Sequence, residues 1–176
     1  MSFQDFILPS SQHKVLKFLC EYMGRDFYDS EIARMLPNVS RASANNALRS
    51  LAEQGITKRY YIGNIALNRV EGTSRFIKEF RRFIYIVELH LFIVQNKDNI
   101  TYMSLYGNYI ESPFGDTPIA KIFIVTDKKE PVLTSYKELS YSKHITSILY
   151  TTKEYEILKT EDKDEWKEIR KGLRLI

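Results

Sequence analysis

The chain has 176 residues, 44% of them apolar, with a formal net charge of +4 and a sequence pI near 9.0. That composition fills the core of one generous domain or two small ones, which excludes a chain that is mainly disordered. The basic surplus admits a polyanionic partner only where it gathers on one face, and a single cysteine, Cys20, excludes an intrachain disulfide and fits a buried structural thiol in a reducing interior.

The predicted elements begin at Pro9-Ser10-Ser11, which can cap a helix whose apolar positions Val15, Leu16, Phe18, Leu19 and Met23 recur until Gly24. Asp29 and Ser30 are expected to cap a second, short helix with Ile32, Ala33 and Leu36 as its stripe and Pro37 as its stop. Ser40 caps a third, burying Val39, Ala44, Ala47, Leu48 and Leu51 and ending at Gly55. The opposite face of that helix carries Arg41, Ser43, Asn45, Asn46, Arg49 and Ser50. Beyond Gly55 the period changes: Ile56–Ile62 and Ile65–Val70 are β-rich runs joined by Gly63-Asn64, a hairpin signal.

Three helices followed by a hairpin resemble, over residues 11 to 70, the winged helix domains of ArsR- and MarR-type prokaryotic regulators. The match is carried by "SEIARML...VSRASANNALRSLAEQGITKRYYIGNIALN". The resemblance implies a third helix in the DNA major groove, with Ser40, Arg41, Ser43, Asn45, Asn46 and Arg49 toward the duplex, and Lys58, Arg59 and Tyr60 in a wing along the backbone. The residue chemistry agrees independently. Arginine grips guanine edges or phosphates with two donors, asparagine does the same for adenine, and serine reaches phosphates. This face has no acid before Glu53, and Lys58-Arg59 follows.

After Thr73-Ser74, Phe76, Phe80, Phe83, Ile84, Val87 and Leu91 step by threes and fours, predicting one helix from about Ser74 to Gln95. Ile77, Tyr85, Ile86 and Phe92 widen its apolar surface to two sides. It reads either as a linker and homodimer element or as an ordinary core helix. Its most apolar part, Phe83 to Val94, contains Glu88 and His90 and falls short of the about 20 apolar residues of a bilayer span. The N-terminus lacks the basic start and apolar run of a signal peptide, so a cytoplasmic protein without a membrane partner is expected.

Strands are predicted at Ile100–Tyr106, Ala120–Val125 and Ile145–Tyr150, the first two joined by the loop Gly107–Pro118 and the third preceded by a polar stretch. Thr151-Thr152 caps a helix through Leu158, and Asp162–Lys171 forms a last one before Gly172. The order helix, strand, strand, strand, helix, helix predicts an α+β unit with a small mixed sheet. The expected division is 1–72, 73–97 as the linking helix, and 98–176.

The second half resembles a minimal nucleotidyltransferase domain of the polymerase β type, through "MSLYGNYIESPFGD", "IAKIFIVTD" and the tail "ITSILYTTKEYEILKTEDKDEWKEIRKGLRLI". Members carry Gly-Ser before a phosphate-holding loop, two carboxylates one residue apart on the next strand and a third on a later strand. Alternate strand residues point the same way, so such a pair can share metal ions on a triphosphate. Here Gly107 is kept, Asn108 replaces the serine, Ile119 and Lys121 replace the acidic pair, and the third position falls near Thr146. Lysine repels the metal that carboxylates would gather. The resemblance therefore implies an inherited fold without transfer activity, and a vestigial nucleotide site at Gly107, Asn108 and Lys121.

Asp116, in a Gly-Asp-Thr-Pro loop, reads as a turn residue. His13, His90 and His144 lack metal-ligand spacing with Cys20, so neither a metal nor a cofactor is expected. The leading expectation is a transcription regulator on double-stranded DNA. The alternatives are an active nucleotidyltransferase targeted by its winged helix, and a protein-interaction module.

Overall fold

The computed structural model describes residues 10–36, 38–109, 120–139 and 144–176. Pro9, Pro37, Asp116, Ile119 and residues 110–118 of the expected loop lie outside them. The architecture is mixed α+β with two small sheets. The described residues divide into two compact units inside one helix, between Val87 and Glu88.

The first unit contains α1 (Ser10–Glu21), β1 (Phe27–Tyr28), α2 (Asp29–Met35), α3 (Arg41–Glu53), β2 (Lys58–Ile62), β3 (Ile65–Arg69) and the start of α4 (Arg75–Asn96). Its core joins Leu16 and Leu19 of α1, Ile32 of α2, Ala44, Leu48 and Leu51 of α3, and Ile77 and Ile84 of α4, all buried. Cys20 is 1% exposed, and burial pushes its thiol up to about 12, so it stays protonated and unreactive.

Both ends of α3 follow local chemistry. Ser40 is extended and its Oγ accepts the Ser43 amide at 3.1 Å. Gly55 takes a φ of +69°, its amide donates to Ala52 O and the Ile56 amide donates to Leu51 O, the Schellman pattern. Two expectations change at α1 and α2. The first helix stops at Glu21, three residues before Gly24, whose φ of +80° serves the following turn. The second is not capped by Asp29 or Ser30: Tyr28 occupies the N-cap without a side-chain bond, and Asp29 is already helical.

The hairpin has the register expected around Gly63-Asn64, with Ile62 opposite Ile65, Tyr60 opposite Leu67 and Lys58 opposite Arg69. β1, which no sequence period announced, pairs antiparallel with β3 at Phe27↔Asn68 and Tyr28↔Leu67, giving the order β1-β3-β2. Two residues are too few to show alternation.

The second unit adds β4 (Tyr102–Gly107), β5 (Ala120–Val125), α5 (Lys129–Lys137), β6 (Ile145–Tyr150), α6 (Thr152–Glu161), α7 (Lys163–Lys171) and β7 (Leu173–Arg174) to the end of α4. The sheet order is β6-β5-β4-β7, with β5 parallel to β6 and every other pairing antiparallel. The expected order lacked α5 and β7. A parallel pair needs a crossover, and α5 lies between β5 and β6 in the chain, inside the stretch that reads as polar because only Val132 and Tyr136 of it are buried. Central β5 is covered on both faces: Phe123 and Val125 pack with Tyr106, Leu158 and Ile169, while Ile122 and Ile124 face the other way and are fully buried.

The 22 residues of α4 serve both cores. Phe80 meets His13 edge-on at 5.6 Å and Arg81 donates to Met23 Sδ in the first unit. Phe92 meets Tyr136 at 6.0 Å and Asn96 donates to Ser135 Oγ in the second. The helix thus contributes its first part to one unit and its last part to the other.

Gly172 follows α7, and a Cβ there would lie 2.6 Å from Leu105 O and 2.8 Å from Tyr106 Cβ. Gly172→Ala is expected to cost about 1–3 kcal/mol through this overlap. Urea unfolding followed by the fluorescence of Trp166, the lone tryptophan, reads the second unit directly; an unchanged midpoint would show that the close approach is not real.

Candidate nucleic-acid interface

The inner side of α3 is fixed by Ala44, Ala47, Leu48 and Leu51, which are at most 2% exposed. That burial turns Arg41, Asn46 and Arg49 to the surface, with Ser43 and Asn45 half-exposed beside them. Arg41, Asn45, Arg49 and Ala52 follow at intervals of four and three and form one stripe along the helix. No described acidic side chain pairs with Arg41 or Arg49. Asn45 Oδ1 is itself buried and has no hydrogen-bond partner among the described residues.

The serines differ. Ser40 Oγ donates to Ser43 Oγ at 2.9 Å while capping the helix, so both hydroxyls already serve its N-terminus. Ser50 Oγ accepts from Gln12 Nε2 at 2.8 Å and from Gln54 Nε2 at 3.1 Å, tying α3 to α1.

The hairpin residues separate sharply. The Arg59 guanidinium grips Asp29 with both terminal nitrogens, at 3.0 and 2.7 Å, and also donates to Asn68 Oδ1 at 2.8 Å. Its side chain is 10% exposed. Buried Asn68 completes the network by donating to Asp29 Oδ1 and to Phe27 O, so four elements meet there. Arg59 is therefore committed inside the fold and is not an open donor, a role that its position beside Lys58 in sequence could not reveal. Lys58 stays exposed and pairs with Glu71 at 2.6 Å. Tyr60 is half-buried, and a hydrogen bond with Asp26 holds its phenol above the ordinary value.

The tip itself is apolar: Tyr61 and Ile62 are each 63% exposed and Ile65 is 51% exposed. Where the end of α3 meets the hairpin, an open groove of about 630 Å³ is lined by Ala52, Thr57, Lys58, Arg59, Tyr60 and Arg69. Thr57, Arg69 and Glu71 of this region were not among the residues singled out from sequence. The register implied by the Gly63-Asn64 turn, which sets Arg69 opposite Lys58, was the signal for Arg69. The chain matches no family model, no curated protein and no solved structure.

In the second unit, Gly107 ends β4 with a φ of +95° and is exposed, as is Asn108. Register places Gly107 opposite Ala120, Tyr106 opposite Lys121, and Lys121 opposite Thr146. One end of three adjacent strands thus gathers Gly107, Lys121 and Thr146, with Lys121 and Thr146 on one face. Lys121 Nζ lies 5.9 Å from the Tyr106 ring centroid, and burial pushes that phenol up to about 12. This end offers a cation and a hydroxyl and can hold an anion, but its described residues provide no carboxylate pair.

Asp127 sits past the far end of β5 and accepts from Thr152 N at 3.0 Å and Thr152 Oγ1 at 2.8 Å. Those bonds hold its carboxyl below the usual range and commit it to the start of α6. No group of three or more potential metal ligands occurs among the described residues, and no helix there is long and apolar enough to cross a membrane.

Proposed function

We propose that the chain is a DNA-binding transcription regulator: a winged helix-turn-helix followed by a nucleotidyltransferase-like module that does not transfer nucleotides. The observation that carries this reading is the outer stripe of α3, where Arg41, Asn45 and Arg49 stand without a paired acid on a helix whose other side is buried. Two cations and an amide at successive turns match phosphates and base edges of a major groove. Exposed Phe76, Leu91 and Val94 on α4 support its use as a homodimer surface. The replacement of carboxylates by Lys121 and Thr146 supports a module without metal-dependent transfer.

The test is duplex binding by fluorescence anisotropy across a salt series, preceded by selection of bound sequences from random DNA. With about four phosphate contacts, affinity is expected to fall roughly 100-fold between about 50 and 200 mM salt. Binding that ignores salt, or no binding at all, would overturn the reading. Magnesium-dependent transfer of label from a nucleoside triphosphate would overturn the inactive-module part alone. A second reading, a protein-docking module, is favoured by the apolar hairpin tip at Tyr61, Ile62 and Ile65. A stable protein complex that Ile62→Asp abolishes, with no duplex retained, would select it.

A further inference from the structure

The register of the hairpin creates an electrostatic problem. Lys58 and Arg69 are direct cross-strand partners, and like charges so placed repel. The fold resolves it with one carboxylate: Glu71 Oε1 accepts from Lys58 Nζ at 2.6 Å and from Arg69 Nη2 at 3.3 Å. An anion with two cations around one oxygen is the arrangement in which a phosphoryl oxygen is held.

A third group points the same way. Thr57 is 6% exposed, yet its Oγ1 has no hydrogen-bond partner among the described residues. Thr57 and Lys58 both line the 630 Å³ groove, with Arg69, and also the adjoining cavity of about 180 Å³, with Glu71. Leaving a buried hydroxyl unsatisfied is costly, and a ligand oxygen in this cavity would remove that cost. Arg69 Nε is likewise buried without a partner.

We propose that Thr57, Lys58 and Arg69 form a phosphate-binding site, and that the Glu71 carboxylate fills it in the free protein as an internal substitute for phosphate. The site lies beside Ala52, at the end of the α3 stripe. Its natural occupant, resting on the DNA-binding reading above, is a backbone phosphate of the same duplex, which must displace Glu71 to enter. Glu71 then acts as a brake on binding.

The experiment compares wild type, Glu71→Gln, Lys58→Ala/Glu71→Gln and the charge control Glu79→Gln. Each is titrated in full-length form against a random-sequence duplex and against tripolyphosphate. Glu71→Gln is expected to bind duplex about 3- to 10-fold more tightly at low salt, with the salt dependence steeper by about one counterion. The added Lys58→Ala should cancel the gain, and Glu79→Gln should not reproduce it. An unchanged affinity in Glu71→Gln, or an equal gain in Glu79→Gln, overturns the site while wild-type duplex binding leaves the DNA reading standing. If no variant retains duplex but Glu71→Gln binds tripolyphosphate through Lys58, the DNA reading fails and the site stands with free phosphate as its source. Retention of neither ligand by Glu71→Gln overturns the site.

Discussion

Replacing Arg41 and Arg49 together by alanine is expected to weaken duplex binding about 100-fold or more at 100 mM salt while leaving the fold unchanged. Both side chains are exposed and unpaired by any described acid, so their removal breaks no ion pair among the described residues. Each contact to a base edge or phosphate contributes about 1–3 kcal/mol, and two removed together multiply in affinity. The single variants distinguish the roles. A phosphate-contacting arginine lowers affinity for all sequences and reduces the salt slope by about one, whereas a base-contacting arginine relaxes preference at one position. Anisotropy with a selected and a scrambled duplex separates the two. Equal binding by the double variant and wild type would remove α3 from the interface.

Asp29→Ala is expected to cost about 3 kcal/mol, chiefly in the first unit. The loss leaves the Arg59 guanidinium, 10% exposed, with the neutral acceptors Asn68 and Tyr61 and no counter-charge, and an under-compensated buried charge is more costly than the absent pair itself. Asn68 also loses one of its two acceptors. Hydrogen exchange locates the effect: amides of β2 and β3 should open while those of β5 keep their protection. Arg59→Met in the same chain should recover part of the loss, since a long apolar side chain needs no counter-charge. Unaltered exchange across Tyr60–Leu67 in Asp29→Ala would show that the network is not what secures the hairpin.

The elements that were readable are those whose signal is local. The extents of α3 and α4 follow from apolar spacing, the Ser40 cap and Gly55, and the hairpin register follows from Gly63-Asn64. Strand β5 was readable to the residue because, apart from Lys121, its side chains are apolar, as burial on both faces demands. Missed elements are short or lack a period. β1 and β7 have two residues each, and α5 contains Pro131 and buries only Val132 and Tyr136.

The candidate site divides along the same line. Arg41, Asn46 and Arg49 could be placed on the outer face from helical spacing alone, because the apolar partners that fix that face lie within a turn or two of them. The fates of Arg59, Lys58 and Arg69 depend on carboxylates brought from elsewhere in the chain: Asp29 to Arg59 across 30 positions, Glu71 to Lys58 and Arg69. Asp127 became a helix-start acceptor only when Thr152 folded back to it.

By itself, then, the sequence determined which residues of α1 and α3 face a core, since backbone periodicity and nearby side chains settle that; on α4, where apolar residues occur on several sides, it did not, for Phe76 and Leu91 are exposed and Arg81 is buried. Which charges stay open to a partner was decided only by tertiary structure, because an ion pair forms between groups close in space whatever their separation along the chain.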